Sequence, residues 1–251
     1  MSDGSDRPYS RSAAVYDVIY GTGEFDYPGH AAAVTALIEE RNPDAATLLE
    51  VGCGTGLFLE LLVERFAVSG VDVSAEMLAV AAARLPGVPL HSADMRSFIL
   101  DDRFDAVVCL FSSLGYMTTE ADLRLAVTRM AAHLAPGGVL VVDGWLRPEG
   151  VIDGYMGLDS AAGDGVTVAR MSFTRLGEGV TDLEMHHLVG RPGAGVDYFV
   201  ERHRMGVYPD EVYVAALTAA GLEGVTVAPG YRGRGRFAGL LSPGRRPDDG
   251  E

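Results

Sequence analysis

A glycine-rich turn carries the clearest chemistry in this sequence. Segment 50–56 reads Glu-Val-Gly-Cys-Gly-Thr-Gly and places Gly52, Gly54 and Gly56 between a short apolar run and an apolar helical pattern. Glycines there permit a sharp turn and let a ligand approach the backbone more closely than a side chain would allow. A dinucleotide site has its third glycine one residue later, and here Glu50 ends the preceding strand. We expect a cofactor site, and the alternative is an ordinary strand-to-helix turn.

Two acidic residues follow the next predicted strands and reach the same edge of the sheet. A carboxylate at Asp72 can accept both hydroxyls of a ribose, through charge-assisted hydrogen bonds worth about 1.5–3 kcal/mol each. Asp94 can accept from an adenine amino group while Met95 packs on the ring. Val73 and Met77 are predicted as further cofactor contacts beside Asp72. The alternative for both acids is a helix cap or a solvated charge.

These residues need a framework that brings strand ends together, and the first part of the chain predicts one. Strands alternating with helices indicate a doubly wound α/β fold, with a mostly parallel sheet covered on both faces. The predicted strands are 47–51, 68–73, 89–91, 104–111 and 139–143, and the predicted helices are 12–20, 28–41, 57–63, 75–84 and 120–134.

The pattern changes after Trp145, where apolar and polar residues alternate between glycine-rich turns. Segments 166–176, 180–189 and 196–208 are predicted as an inserted antiparallel sheet. A helix at 210–220 and strands at 225–228 and 237–241 then return to the main sheet. The predicted organisation is a disordered N-terminus (1–10), a cofactor-binding α/β domain (11–150), an antiparallel insertion covering the substrate site (151–209), the return (210–241) and a disordered tail (242–251).

Composition narrows the classes of partner. The formal net charge of −15 in 251 residues would repel a phosphate backbone, so a nucleic-acid substrate is not expected. No segment has the apolar run of roughly 20 residues that a membrane span needs. The two cysteines, Cys53 and Cys109, give neither a disulfide framework nor zinc spacing and suit a reducing compartment. We expect a cytoplasmic enzyme with a small-molecule substrate and no metal, and a homodimer is compatible with the sequence.

The glycine turn and the two acids, in this order, resemble the class I S-adenosylmethionine-dependent methyltransferases over about residues 45–145. The resemblance implies a seven-stranded sheet with one antiparallel strand. It also implies that the activated methyl group points toward residues 109–116, with Leu110 at the cofactor and Ser112 and Ser113 at the substrate. Methyltransferases of nucleic-acid bases usually carry Asn/Asp-Pro-Pro-Tyr there, and this chain does not.

A closer likeness extends over nearly the whole chain, to the actinobacterial N-methyltransferases that dimethylate amino groups on TDP-linked deoxysugars of antibiotic pathways. It implies that Tyr16 lies over the methyl group, that Trp145 and Tyr155 contact substrate, and that Arg234 meets the nucleotide diphosphate, for which a guanidinium is well suited. The alternative for Arg234 is a flexible basic tail. The likeness rests on Val-Tyr-Asp at 15–17, Asp-Met-Arg at 94–96, Phe-Ser-Ser at 111–113, segment 145–155 and Gly-Arg-Gly at 233–235.

One departure from this family concerns the proton of the amine. Tyr116 stands where the family's Ser-Ser-x-Gly-His has histidine, and an alkylammonium must lose a proton before its nitrogen can attack. Tyr116 can orient the amine while water takes the proton, or His186 or His187 can supply the base. Adjacent strand residues face opposite sides of a sheet, so at most one of these histidines faces the site.

Three alternatives stay open at this point. One is an O- or N-methyltransferase of another small metabolite, since related enzymes with other acceptors also carry tyrosine at this position. Another is a nicotinamide-dependent oxidoreductase, against which the glycine spacing and the lack of a recognisable Tyr-x-x-x-Lys pair count. The last is a non-catalytic protein that senses S-adenosylmethionine.

Overall fold

The computed structural model describes residues 8–21 and 26–244. Of the predicted disordered ends, residues 1–7 and 245–251 lie outside the described part, whereas residues 8–10 and 242–244 lie within it. The helices are α1 (Tyr16–Tyr20), α2 (Tyr27–Arg41), α3 (Leu57–Glu60), α4 (Ala75–Arg84), α5 (Glu120–Ala132) and α6 (Asp210–Ala219). The strands are β1 (Thr47–Val51), β2 (Ala67–Asp72), β3 (Leu90–Ser92), β4 (Phe104–Cys109), β5 (Leu134–Asp143), β6 (Met156–Gly163), β7 (Val166–Leu176), β8 (Val180–Arg191), β9 (Gly195–Gly206), β10 (Leu222–Pro229) and β11 (Gly235–Leu241).

The main sheet has seven strands in the order β10-β11-β5-β4-β1-β2-β3. Strand β11 runs antiparallel to both of its neighbours, and the remaining pairs are parallel. This confirms the predicted doubly wound sheet with one antiparallel strand. Because β1 to β4 are parallel, their carboxyl ends meet at one edge.

Apolar side chains cover both faces of this sheet. On adjacent positions of β1, Leu49 belongs to the core packed under α5 and α6, whereas Leu48 belongs to the core that also contains residues of α2, α3 and α4. Two of the covering helices, α4 and α5, begin at capping side chains: Ser74 Oγ accepts from Met77 N–H at 3.2 Å, and Thr119 Oγ accepts from Asp122 N–H at 3.1 Å. No helix in the described ranges is both long and apolar enough to cross a membrane.

The insertion is an antiparallel sheet of four strands in the order β6-β7-β8-β9, one more than predicted. The additional strand, β6, reads Met-Gly-Leu-Asp-Ser-Ala-Ala-Gly and has none of the β-branched residues that favour strands. Backbone pairing with β7 along its whole length forms it instead.

Other boundaries also differ from the prediction, among them those of β5, β4 and α3. Strand β5 begins at Leu134 because Leu134 pairs with Phe104 ahead of a register shift, although the following Pro-Gly-Gly disfavours a strand. Strand β4 ends at Cys109 because Phe111 and Ser112 adopt left-handed backbone angles. Helix α3 ends at Glu60, after which the chain continues in tighter turns.

Candidate active site

A cleft of about 1420 Å³ runs along the carboxyl ends of the parallel strands and beneath the second sheet. The main sheet contributes the turn after β1, the end of β2 and the segment after β4. The second sheet contributes one face of β7, β8 and β9. This position, outside the strand ends of an open α/β sheet, is where ligands of such folds bind.

The glycine turn forms one wall of the cleft. Gly52 and Gly54 line it with positive φ angles of 78° and 54°, and a Cβ on Gly54 would meet no atom within 4 Å. Gly56 does not line the cleft: a Cβ there would stand 3.0 Å from Leu85 Cδ1 and 3.3 Å from Ala81 Cβ. The structure thus gives Gly56 a packing role, which lets the start of α3 lie against α4, and its predicted contact with the cofactor stays a prediction.

Two carboxyl groups lie beside this turn, Glu50 buried and Asp72 half-buried. Glu50 is 2% exposed, and its Oε2 has no hydrogen-bond partner within the described residues. Burial, with the neighbouring Asp72 charge, raises the Glu50 pKa well above its usual value. Asp72 accepts from Gly54 N–H and from Ser74 N–H, both at 2.8 Å. Burial also raises the pKa of Asp72, and these backbone hydrogen bonds oppose the shift.

The third predicted acid is already paired. Asp94 Oδ2 lies 2.6 Å from Arg96 Nη2, and Arg96 also reaches Asp122 at 3.3 Å. The hydrogen bond from Arg96 lowers the pKa of Asp94, so the carboxylate stays charged with part of its accepting capacity in use. Met95, Val73 and Met77 line the cleft nearby.

Leu110 is not among the residues that line the cleft. It is 1% exposed and packs in the hydrophobic core on the α2–α4 side of the main sheet. Strand alternation turns this side chain into the core, so the contact of Leu110 with the cofactor stays a prediction that only its backbone could fulfil.

Helix α1 is fixed to the glycine turn by polar contacts. Thr55 Oγ1 donates to Asp17 Oδ1 at 2.6 Å, and Arg84 forms an ion pair with Asp17 while its Nε donates to the Thr55 carbonyl at 3.0 Å. These contacts hold Tyr16 at the cleft wall, with its ring centroid 5.7 Å from that of Tyr9. The Val-Tyr-Asp segment thus places the Tyr16 ring in the cleft, and its Asp17 carboxylate binds Thr55 and Arg84.

The chain leaves β4 through two consecutive left-handed residues, Phe111 (φ 52°) and Ser112 (φ 68°). Such angles cost on the order of 1–3 kcal/mol each outside glycine and persist where neighbours enforce them. Phe111 N–H donates to Asp143 Oδ2 at 3.3 Å, and Ser112 Oγ donates to the Gly144 carbonyl at 2.7 Å. Asp143 is itself held by the buried Arg236, at 2.8 Å. The turn is a fixed part of the site.

Arg234 lies at the end of the cleft near this turn. Its Nη1 donates to Ser112 Oγ at 2.8 Å, and its guanidinium carbon stands 4.1 Å from the Trp145 ring centroid. Trp145 is in turn fixed by Nε1 donating to Thr181 Oγ1 of β8 at 2.9 Å. A guanidinium stacked on an indole keeps its plane and its outer N–H groups oriented. Ser113 and the exposed Tyr155 also line the cleft.

Tyr116 ends a short 3₁₀ turn (Ser113–Tyr116) and lies within the cleft, where its hydroxyl is 2.7 Å from His203 Nδ1 on β9. Burial raises the pKa of the Tyr116 phenol well above its usual value. Burial also lowers the pKa of His203, to about 4.

The histidines predicted as candidate bases lie elsewhere. His186 is on the outer face of the second sheet, where its Nδ1 is 2.7 Å from the Tyr198 hydroxyl, and it does not line the cleft. Its predicted catalytic role is therefore corrected. His187 points to the inner face but stacks on Phe199 at 4.6 Å, outside the cleft lining.

Tyr9 and His203 are the site residues that the sequence analysis missed. Tyr9 comes from a segment expected to be disordered, yet its ring contacts Tyr16, Tyr116 and His203. The alternation of side chains along the strands contains a signal for His203. His203 pairs with Leu183 of β8, which lies three residues from His186, so His203 and His186 face opposite sides of the sheet. The alternation alone does not say which of the two sides faces the cleft.

Comparisons with known proteins agree with this geometry. Residues 48–138 match the family of methyltransferase domains. The chain is 42% identical, over 91% of its length and 90% of the relative's, to the dTDP-3-amino-3,6-dideoxy-alpha-D-glucopyranose N,N-dimethyltransferase of Streptomyces fradiae.

Solved structures give the same result. DesVI of Streptomyces venezuelae superposes with a TM-score of 0.87 at 42% identity, covering 92% of this chain and 98% of that one. CalS10, an amino pentose methyltransferase of Micromonospora echinaspora involved in calicheamicin biosynthesis and solved with S-adenosylmethionine bound, superposes with a TM-score of 0.81 at 44% identity, covering 91% and 97%.

The fold and the cleft at its strand ends therefore define an S-adenosylmethionine-dependent methyltransferase of class I. Within that class, the chain belongs to the family of dTDP-aminosugar N,N-dimethyltransferases.

Proposed function

We propose that this protein transfers methyl groups from S-adenosylmethionine to the amino group of a TDP-linked aminodeoxysugar in antibiotic biosynthesis. One observation carries the proposal: a single cleft has a buried and a half-buried carboxyl group at the glycine turn and a stacked guanidinium near its other end. Its volume of about 1420 Å³ exceeds the roughly 300–1,000 Å³ of sites for one small ligand. A cofactor and a nucleotide sugar can occupy it together.

The residues at the glycine turn fit the cofactor. A buried carboxyl oxygen on Glu50 without a partner in the described structure calls for a cationic group, and S-adenosylmethionine carries an ammonium. Asp72 has lone pairs left for ribose hydroxyls after its two backbone hydrogen bonds, and the open space at Gly54 admits a ligand against the backbone. Met95, Val73 and Met77 suit the faces of adenine, with Asp94 at its amino group. When bound, the cofactor supplies an electrophilic methyl group.

The other end of the cleft fits a nucleotide diphosphate. Arg234 can present paired N–H groups to phosphate oxygens while Trp145 holds its guanidinium plane. Arg232 lines the same region of the cleft. The sugar would then lie between Arg234 and the tyrosine cluster, with Ser113 and Tyr155 at its hydroxyl groups.

The tyrosines between the two ends orient the acceptor. The amine nitrogen attacks the methyl carbon in line, the nitrogen–carbon bond forms as the carbon–sulfur bond breaks, and the nitrogen loses one proton to solvent. Tyr116 accepts one N–H of the amine, and Tyr16 covers the reacting methyl group. Orientation of this kind can supply roughly 7–11 kcal/mol of catalysis.

A panel of TDP-aminosugars tests the proposal by mass spectrometry. The panel includes 3-amino and 4-amino sugars, and reactions without S-adenosylmethionine are the controls. We expect a mass gain of one or two methyl groups on at least one TDP-aminosugar. Binding of S-adenosylmethionine with no methyl transfer to any panel member contradicts the proposal.

Three features of the setting stay predictions. The net charge of −15 supports the absence of a nucleic-acid partner. Cytoplasmic location and a homodimer are also predicted, and light scattering on the purified protein measures the latter.

A further inference from the structure

The Tyr116 hydroxyl is tied to a buried histidine whose surroundings are fixed. His203 is 2% exposed, and its Nδ1 lies 2.7 Å from the Tyr116 oxygen. On the other side of the ring, Nε2 lies 3.9 Å from Glu201 Oε2. Glu201 is held in turn by hydrogen bonds from Arg11 N–H (2.9 Å), Ser12 N–H (3.0 Å) and Ser12 Oγ (2.6 Å).

This arrangement selects one tautomer of His203. A neutral imidazole has one nitrogen that donates and one that accepts. Burial, with a pKa lowered to about 4, keeps His203 neutral at neutral pH. Nε2 makes no hydrogen bond within the described residues, but the Glu201 carboxylate at 3.9 Å favours a proton on it electrostatically, which leaves Nδ1 as the acceptor. Tyr116, whose pKa is raised by burial, keeps its proton and donates it to Nδ1.

The direction of that hydrogen bond decides what Tyr116 offers to the cleft. A phenol has one proton, and His203 Nδ1 accepts it here. The Tyr9 hydroxyl, which is also hydrogen-bonded to the Tyr116 hydroxyl, must then donate to the Tyr116 oxygen. One lone pair of that oxygen is left for the cleft and can accept an N–H from an amine. A free hydroxyl rotor could instead donate to the amine nitrogen and occupy the lone pair that must attack the methyl carbon.

We propose that His203 is a positioning residue for the methyl transfer: it acts through Tyr116, whose hydroxyl it orients so that an acceptor amine keeps its lone pair free. This inference rests on the proposed function, in which Tyr116 borders the amine. His203 itself makes no bond to the reacting atoms.

A matched pair of substitutions separates this role from packing. In His203→Asn the amide oxygen can stand near the Nδ1 position, whereas in His203→Gln the amide stands near the Nε2 position and the acceptor for Tyr116 is lost. We expect His203→Gln to lower kcat by on the order of 10- to 100-fold, the range for a lost buried hydrogen bond. We expect His203→Asn to retain kcat within about threefold, with the KM for the TDP-aminosugar and the affinity for S-adenosylmethionine nearly unchanged in both variants.

A double-mutant cycle completes the test. Tyr116→Phe alone should lower kcat by about 10²–10⁴-fold, and adding His203→Gln should lower it no further, because the group through which His203 acts is gone. Equal kcat losses in His203→Asn and His203→Gln, or additive losses in the double mutant, overturn the inference while the wild type still methylates TDP-aminosugars. A wild type that methylates none of them overturns the proposed function, and the inference with it.

Discussion

Glu50 and Asp72 are the acidic side chains at the glycine turn, and they make that side of the cleft favourable for cationic and hydrogen-bond-donating groups. Both are carboxyl groups at adjacent strand ends, and burial raises the pKa of each. Asp72 is stabilised by two backbone N–H groups, whereas Glu50 Oε2 has no such partner in the described ranges. The two residues should therefore contribute to cofactor binding in different ways.

Replacing Asp72 with Ala should weaken binding of S-adenosylmethionine by on the order of 10-fold or more, because it removes an acceptor for the ribose hydroxyls. Isothermal titration calorimetry measures this. Asp197→Ala, at an acid 71% exposed on the second sheet, is the matched control and should bind as the wild type does. Unchanged affinity in Asp72→Ala would remove this residue from the site.

Glu50 should make cofactor binding depend on pH. Its raised pKa means that the free protein holds the carboxyl proton over a range above the usual value for glutamate. A bound ammonium favours the ionised form, so binding releases a proton and affinity rises with pH through that range. Calorimetry in two buffers of different protonation enthalpy counts the protons. Glu50→Gln should release fewer, and equal counts in both proteins would contradict this assignment.

The sequence placed residues of the main sheet at the cleft better than residues of the second sheet. Asp72 and Gly54 follow from the order of strands and turns, which fixes their edge of the sheet. His186, predicted as a candidate base, lies on the outer face, and His203 was missed, because both faces of the second sheet mix apolar and polar side chains. The inner face buries Phe199 beside Glu201 and His203, while the outer face exposes Leu188 and Tyr198. Alternation alone therefore does not say which face meets the cleft.

The glycine turn both packs the start of α3 against α4 and leaves space for a ligand in the cleft, and a pair of substitutions can separate these two roles. Gly54 and Gly56 both have positive φ, so an alanine at either position carries a backbone cost of roughly 1–2 kcal/mol. At Gly56 the new Cβ also presses on Leu85 and Ala81, whereas at Gly54 it projects into open space lining the cleft.

We therefore expect Gly56→Ala to lower the free energy of unfolding by about 1–3 kcal/mol more than Gly54→Ala does, because of overpacking. Gly54→Ala should show the greater loss of S-adenosylmethionine affinity. Urea unfolding and calorimetry on the two proteins measure these effects. The reverse order of the two stabilities would refute the packing role given to Gly56.

Most elements of the main sheet could be predicted because their apolar runs are buried on both faces. Strand β6 could not, since its residues have low strand propensity and only pairing with β7 shapes it. The turn after β4 could not be predicted either, because neither Phe111 nor Ser112 is a glycine. Their left-handed φ angles depend on Asp143, which is distant in sequence.

For the whole molecule, the second sheet turns an open strand edge into a cleft. Two hydrogen bonds join the sheets on the Arg234 side of the cleft, one from Trp145 to Thr181 and one between Tyr116 and His203. The hydrogen bond between Thr55 and Asp17 ties helix α1 to the glycine turn. Under the proposed function, the acidic glycine-turn side and the basic Arg234 side would separate two ligands of different charge within one cavity.

Charge reversal at Arg234 should separate these two ligands. Arg234→Glu should raise the KM for a TDP-aminosugar by about 10- to 100-fold, as expected for the loss of charge-assisted hydrogen bonds to the diphosphate. Its affinity for S-adenosylmethionine should change little. Steady-state kinetics and calorimetry on the same preparation compare the two, and equal losses would place Arg234 in the general stability of the cleft.

If the acceptor is a nucleotide-linked aminosugar, the ratio of two kcat/KM values must show it. The wild-type protein is assayed with a TDP-aminosugar that it methylates and with the same aminosugar lacking TDP. We expect a preference for the conjugate of on the order of 100-fold or more, supplied by contacts of the kind made by Arg234. Equal kcat/KM for the two acceptors would contradict it.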